Sequence, residues 1–193
     1  MIYEVYPPTF YKSQINPALD LVSNDKNDNL SLNMVLSAND IKLYNTFLIA
    51  SINDFFNINK NNIEPIVKKN DYYIKGGFVE SKISFADKKI HNNNTWNIDY
   101  KQIEIFEENL KLIKNNNSRI ILVFAPISKS LYNSYNNNSK IDSLFNSFKV
   151  EYYNLNKLIE INDTLDLYDD HHLNKNGVKK LNLKMIEIIN KKT

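Results

Sequence analysis

The sequence predicts an α/β fold, a parallel sheet with helices on its faces, and two observations carry that prediction. Residues Ile120-Ile121-Leu122-Val123-Phe124 form an unbroken apolar run between Arg119 and Pro126, the pattern of a short strand buried on both faces of a parallel sheet. From Trp96 onward the pattern alternates as helix, strand, helix, strand, loop, helix, as a chain does when it crosses back and forth over such a sheet.

Taken in order, Ile2 to Tyr6 reads as a strand stopped by Pro7-Pro8, because proline has no N–H for a ladder and restricts the residue before it. Thr9 to about Asn33 reads as loop, with Pro17 and the polar run Ser23 to Asn29. Ile41, Tyr44, Leu48, Ile52 and Phe55 recur at spacings of three and four, which predicts a helix starting near Ser37 or Asn39 with that stripe in the core. Residues 60–97 are the least patterned, with a short helix expected over Ile63 to Lys69. A strand pair is expected around Gly76-Gly77, from Tyr72-Tyr73-Ile74 and Phe78-Val79.

Ile103, Phe106, Leu110 and Ile113 form the stripe of the next helix. Glu104, Glu107 and Glu108 lie toward its start and Lys111 and Lys114 toward its end, as the helix dipole favours. After the apolar strand come a short helix through Ile141, Leu144, Phe145 and Phe148, a strand from Val150 to Tyr153, and a second short helix over Leu155 to Ile161. A terminal helix follows, with Val178, Leu181, Met185 and Ile188 or Ile189 on one face. A length of 193 residues suits one domain, 1–193, in which 10–97 stands out as an insertion or less regular region.

An apolar share of 42% and the abundance of Tyr and Phe predict a chain that folds. The asparagine runs, which the codon bias of an AT-rich genome explains as well as function does, read as loops rather than as interaction tracts. The formal charge of +2 is spread over interleaved signs without a basic stripe, which argues against a nucleic-acid partner. With no cysteine there is no disulfide, thiol nucleophile or thiolate zinc site. No apolar run approaches the roughly 18 residues of a membrane span, and the N-terminus lacks the pattern of a signal peptide.

Chemistry concentrates in Leu165 to Gly177, which holds two of the three histidines. Its outline is Asp169-x-x-His172 followed by Leu173-Asn174-x-x-Gly177. Three residues apart on a bend, a carboxylate can fix the tautomer of an imidazole and stabilise the imidazolium. His172 is therefore a candidate general base and Asp169 its orienting acid. The structural alternative is a polar loop leading into a helix capped by Asn174 or Asn176. A metal site of Asp169, Asp170, His171 and His172 is a further alternative, disfavoured because neighbours on a tight loop point in different directions and no outside ligand is evident. Neither a metal nor a cofactor is expected. His91, among asparagines, reads as surface, and Ser128 as a turn residue. Both the Asp/His segment and Pro126-Ile127-Ser128 fall beyond the carboxyl ends of predicted strands, where α/β proteins build sites.

Tyr168 to Gly177, with the amphipathic helix behind it, resembles the last conserved block of the SGNH (GDSL-type) hydrolase superfamily. The bacterial members associated with acyl transfer on cell-surface polysaccharides are the nearest in pattern. Val123-Phe124-Ala125-Pro126 is similar to the strand that precedes that block, so the resemblance covers about the second half of the chain. It implies a flavodoxin-like three-layer fold and ester hydrolysis or O-acyl transfer by a Ser-His-Asp mechanism, on a small-molecule or glycan ester, with no cofactor. It also implies an extracytoplasmic or cell-envelope location. His172 would be the base, Asp169 its acid, and Leu173, Asn174 and Gly177 would shape the turn, while His171 matches no fixed position.

In that family the nucleophile sits in a Gly-Asp-Ser turn after the first strand, and this sequence contains no Gly-Asp-Ser. Ile2 to Tyr6 resembles the family's third strand and runs into Pro7-Pro8-Thr9, where no oxyanion donor is assigned. The resemblance therefore implies the C-terminal portion of an N-terminally truncated SGNH-like protein, its serine block encoded before Met1, and no activity for the chain alone. Ser13, Ser37, Ser51 and Ser128 are in-chain serines that no motif supports. The alternative function is a non-catalytic glycan- or protein-binding module using the cleft near Pro126 and His172, with Tyr132, Tyr135, Tyr152 and Tyr153 for stacking.

Overall fold

The computed structural model describes the chain except for residues 13–14, 26, 57, 59–66, 69–70, 75–77, 82–83, 88, 117 and 192–193. In chain order the elements begin with β1 (Ile2–Glu4), a 3-10 turn (Pro7–Phe10), α1 (Asn16–Asn24), α2 (Asn29–Ala38) and α3 (Ile41–Phe55). Next come β2 (Val67–Lys68), β3 (Asp71–Ile74), β4 (Phe78–Ser81) and α4 (Tyr100–Lys114). The chain continues with β5 (Ile121–Phe124), α5 (Lys129–Ser134), α6 (Asn138–Asn146), β6 (Glu151–Asn154) and α7 (Lys175–Asn190). It divides into two compact units, Met1–Lys12 with Ser81–Thr193, and Ser13–Glu80.

The first unit is mixed α/β around a three-stranded parallel sheet ordered β1-β5-β6. The central strand is the apolar run, and all four of its residues are buried. Its side chains alternate between faces, as strand geometry requires. Leu122 and Phe124 join a core with Ile103, Phe106 and Leu110 of α4 and Ile141 and Phe145 of α6. Ile121 and Val123 join a second core with Leu155 and with Ile188 of α7. Helices thus cover both faces, giving three layers.

Helix α4 starts where Asp99 accepts the Lys101 N–H at 3.0 Å and ends with Lys111 and Lys114 in its last turn, each favourable to the helix dipole. Its Phe106 packs edge-on against Tyr3, Phe10 and Phe148, which joins the helix to β1 and the chain after α6. At the opposite end of the sheet Arg119 makes a bidentate pair with Glu151, 2.6 and 2.9 Å, and donates to the Ile189 carbonyl at 2.9 Å. That fork ties the starts of β5 and β6 to the last turn of α7.

The second unit holds α1, α2 and α3 around Val22, Val35 and Leu43, and the sheet β2-β3-β4, with β2 antiparallel to β3. Here several expectations are corrected. The stretch read as loop contains two helices. Pro17 occupies a first-turn position where its missing N–H costs nothing, and Asp28 caps α2 by accepting from Leu30 and Ser31 at 2.9 Å each. Within the polar run Ser23 to Asn29, Asn24 ends α1 and Asn29 begins α2. Of the α3 stripe expected in the core only Tyr44 packs there; Ile41, Leu48, Ile52 and Phe55 are exposed, Phe55 to 81%, because α3 is apolar on two sides and packs mainly through Leu43, Phe47 and Ala50.

The predicted helix over Ile63 to Lys69 lies outside the described residues apart from Val67–Lys68, which form a strand. The strands flanking Gly76-Gly77 are β3 and β4, while the glycines lie outside the described residues. In the first unit, Leu155 to Ile161 is a series of turns rather than a helix. Asn156 accepts from the Ile127 N–H at 2.9 Å and donates to the Ala125 carbonyl at 3.2 Å, which holds the chain against the loop after β5. Among the described residues no helix is long and apolar enough to cross a membrane.

Candidate active site

The three parallel strands end at one edge, and the Asp/His segment lies along it. The Ser128 N–H, just after β5, donates to the Asp170 carbonyl at 2.9 Å, and the Tyr6 hydroxyl, just after β1, lies 2.6 Å from His171 Nδ1. This is the edge at which open α/β sheets place their ligands.

The segment is held by the residues that lead into α7. Asn174, fully buried, caps that helix through its side-chain oxygen, which accepts from Asn176 and Gly177 at 2.9 and 3.3 Å. Its amide donates to the carbonyls of Ser84, Leu165 and Leu167 at 3.0, 3.0 and 3.2 Å. Gly177 is required for space, since a Cβ there would stand 2.3 Å from the Asp166 carbonyl oxygen. Buried Asp166 receives Lys180 Nζ at 2.5 Å and the Asn162 N–H at 2.7 Å. The Leu173-Asn174-x-x-Gly177 pattern is therefore fully employed in shaping the loop.

That loop presents the dyad. Asp169 Oδ1 accepts the backbone N–H groups of His171 and His172 at 2.8 and 2.9 Å, closing a tight turn. The same turn brings His172 Nδ1 to 2.9 Å from each Asp169 oxygen. Nδ1 is thereby committed to the carboxylate, and Nε2 is the nitrogen left to exchange a proton with a substrate group. The His172 side chain is 74% exposed, so the ring is open to solvent. Burial pushes the Asp169 carboxyl up, but the hydrogen bond from His172, together with the His171 and His172 N–H groups, outweighs it and leaves the pKa below the usual carboxylate value.

A depressed acid contributes its stabilisation in full above its unfolded pKa and loses it as pH falls through the lower folded value. The turn is therefore expected to keep Asp169 ionised at mildly acid pH and to release His172 only below the ordinary carboxylate range. Carboxyl-carbon NMR during an acid titration checks this; an Asp169 midpoint at or above that of an unstructured aspartate contradicts it.

The remaining polar side chains sort themselves by partner. Asp170 turns to the scaffold: Ser128 Oγ donates to it at 3.0 Å, and Lys89 and His91 approach it at 3.2 Å each. His91, expected at the surface, instead has its Nε2 covered, at ion-pair distance from Asp170 but not aligned as a hydrogen bond. Ser128, 1% exposed, caps α5 by accepting from Leu131 at 3.3 Å. It is spent on structure, and among the described residues no hydroxyl is hydrogen-bonded to His172 Nε2. Ser37 lies in α2 and Ser51 in α3, in the second unit, and Ser13 lies outside the described residues. Asp169, Asp170 and His171 each face a different partner, and among the described residues no group of three His or carboxylate side chains is placed to hold a metal.

Two neighbours were not anticipated. Burial raises the pKa of Glu4, at the end of β1, and nearby His172 acts in the opposite sense; its outer surface stays open to water. Burial, then Tyr135 and Tyr11, then Glu4 and Asp169, push the Tyr6 phenol well above its usual range, so it stays protonated beside His171. The signal that could have found both is their place at the carboxyl end of the first strand.

The tyrosines considered for sugar stacking are otherwise engaged. Tyr135 stacks on Trp96 at 3.3 Å, Tyr132 is core, and Tyr152 donates to Asp142 at 2.7 Å, while Tyr153 donates to Glu151 at 3.2 Å. A cavity of about 480 Å³ lies beyond β5 and β6, lined by Pro126, Ile127, Tyr132, Asn156 and Lys157 among others. Neither Asp169 nor His172 lines it, so Pro126 and His172 do not share that cleft. No family model, curated protein or solved structure matches the chain.

Proposed function

We propose that Asp169 and His172 are the acid and base of an SGNH-like ester hydrolase or O-acyltransferase site, acting on a hydroxyl that the described residues do not supply. The observation that carries this reading is the double 2.9 Å contact of His172 Nδ1 with a carboxylate fixed by two backbone N–H groups, at the carboxyl edge of a parallel sheet. In the reaction His172 Nε2 takes the proton of the attacking hydroxyl as its oxygen bonds to the ester carbonyl carbon. Asp169 stabilises the imidazolium, which then returns the proton to the departing alkoxide as the ester bond breaks. A collapsing tetrahedral intermediate leaves the acyl group on the hydroxyl, from which water removes it in a hydrolase or an alcohol acceptor in a transferase. No metal or organic cofactor enters these steps.

Because no hydroxyl among the described residues is hydrogen-bonded to His172 Nε2, chain 1–193 by itself is expected to hydrolyse p-nitrophenyl acetate at no more than the rate of its His172→Gln variant. It is also expected to remain unlabelled by a fluorophosphonate. Labelling of one serine in this chain, lost in His172→Gln, would show that the chain carries its own nucleophile; labelling that persists in His172→Gln would remove the role given to the base.

A further inference from the structure

We infer that α3 is a dimerisation seam that pairs in parallel with the α3 of a second copy of this chain. Ile41, Asn45, Leu48, Ile52 and Phe55 follow one another at spacings of four, three, four and three. That spacing draws one line along the helix, the a and d positions of a two-stranded coiled coil, with asparagine at one a position. All five are exposed, Ile41 to 69% and Leu48 to 59%. The opposite side of α3 already holds it to α1 and α2, so the line is not needed to keep the helix folded.

Three features select a second copy as the occupant. The line itself carries no charge, and of Lys42, Ile49 and Phe56, which flank it on one side at spacings of seven, only Lys42 in the first turn is charged, so the line meets its copy without repulsion along its length. Asn45 would be left unsatisfied against a foreign apolar surface. In a parallel, in-register pair it meets its own counterpart, and each amide can donate and accept. The exposed apolar side chains named here present roughly 800 Å² per copy, an upper limit on what pairing buries, so the seam is at most of standard size and suits a concentration-dependent dimer. Because α3 is folded before it pairs, so short a seam does not bear the cost of helix nucleation.

Sedimentation velocity of the full chain over a range of concentrations is expected to show a monomer–dimer equilibrium. Leu48→Glu is expected to weaken association about thirtyfold or more while leaving far-UV circular dichroism unchanged. The chain has no cysteine, so single substitutions report contacts cleanly. Under a mild oxidant Asn45→Cys is expected to give a cross-linked dimer and Glu108→Cys, on the exposed surface of α4 in the first unit, is not. A monomer at every concentration, a dimer indifferent to Leu48→Glu, or equal cross-linking by the two cysteine variants overturns the proposal. So does a monomer that Leu48→Glu destabilises, the result if a segment of the same chain covers the line.

Discussion

Gly177→Ala is expected to destabilise the first unit by about 2 kcal/mol, although alanine is the better helix former by about 1 kcal/mol. The position lies inside α7, so propensity alone argues for stabilisation. The opposing effect is larger. The new Cβ would stand 2.3 Å from the Asp166 carbonyl oxygen and 2.8 Å from Leu173 Cδ2, and the first of these is backbone that cannot swing aside. That carbonyl accepts the Asn174 N–H at 2.9 Å, so its displacement weakens the hydrogen bond that sets the loop against the helix. A fall of about 6 °C in the melting temperature is expected, together with shifts in the NMR signals of Asp169 and His172. An unchanged or raised melting temperature contradicts the packing described for this turn.

The largest functional effect is expected at His172. Where a nucleophilic hydroxyl reaches the site, His172→Gln is expected to lower kcat/KM for an acyl ester about a thousandfold or more. Glutamine keeps a side chain of similar reach but cannot take up the proton. Asp169→Asn is expected to cost nearly as much, because an amide that donates toward Nδ1 favours the wrong tautomer and leaves the imidazolium without a counter-charge. Asp169→Asn also exchanges a carboxylate that accepts two backbone N–H groups for a weaker acceptor, so loss of the turn has to be separated from loss of the charge. An unchanged Gly177 environment by NMR makes that separation. Rates that fall less than tenfold in both variants contradict the assignment of base and acid.

The legible parts of the sequence were those where one physical requirement dominates. The run Ile121 to Phe124 must be buried on both faces, and it is the central strand. The α4 stripe has one apolar side and one charged side, and Ile103, Phe106 and Leu110 are its buried residues. The α3 stripe misled because the helix is apolar on two sides, and spacing does not say which side finds a partner. Helix α5, six residues capped by Ser128 and by Asp163, is too short to show a period. At the site, Asp169 and His172 were legible because they are neighbours in sequence and their geometry is local. Tyr6 lies 165 residues from His171, and nothing in a linear reading joins them. His91 was hidden for the same reason, since its approach to Asp170 depends on the path of the chain between them.

The base assignment is tested most directly by treating the protein from its own cells, wild type and His172→Gln, with a fluorophosphonate and locating the label by mass spectrometry. The expected result is one labelled serine other than Ser128, with labelling lost in His172→Gln and kept in Glu108→Gln, a surface change in α4. No labelled serine, or one labelled equally in the presence and absence of His172, would contradict a general base at this position.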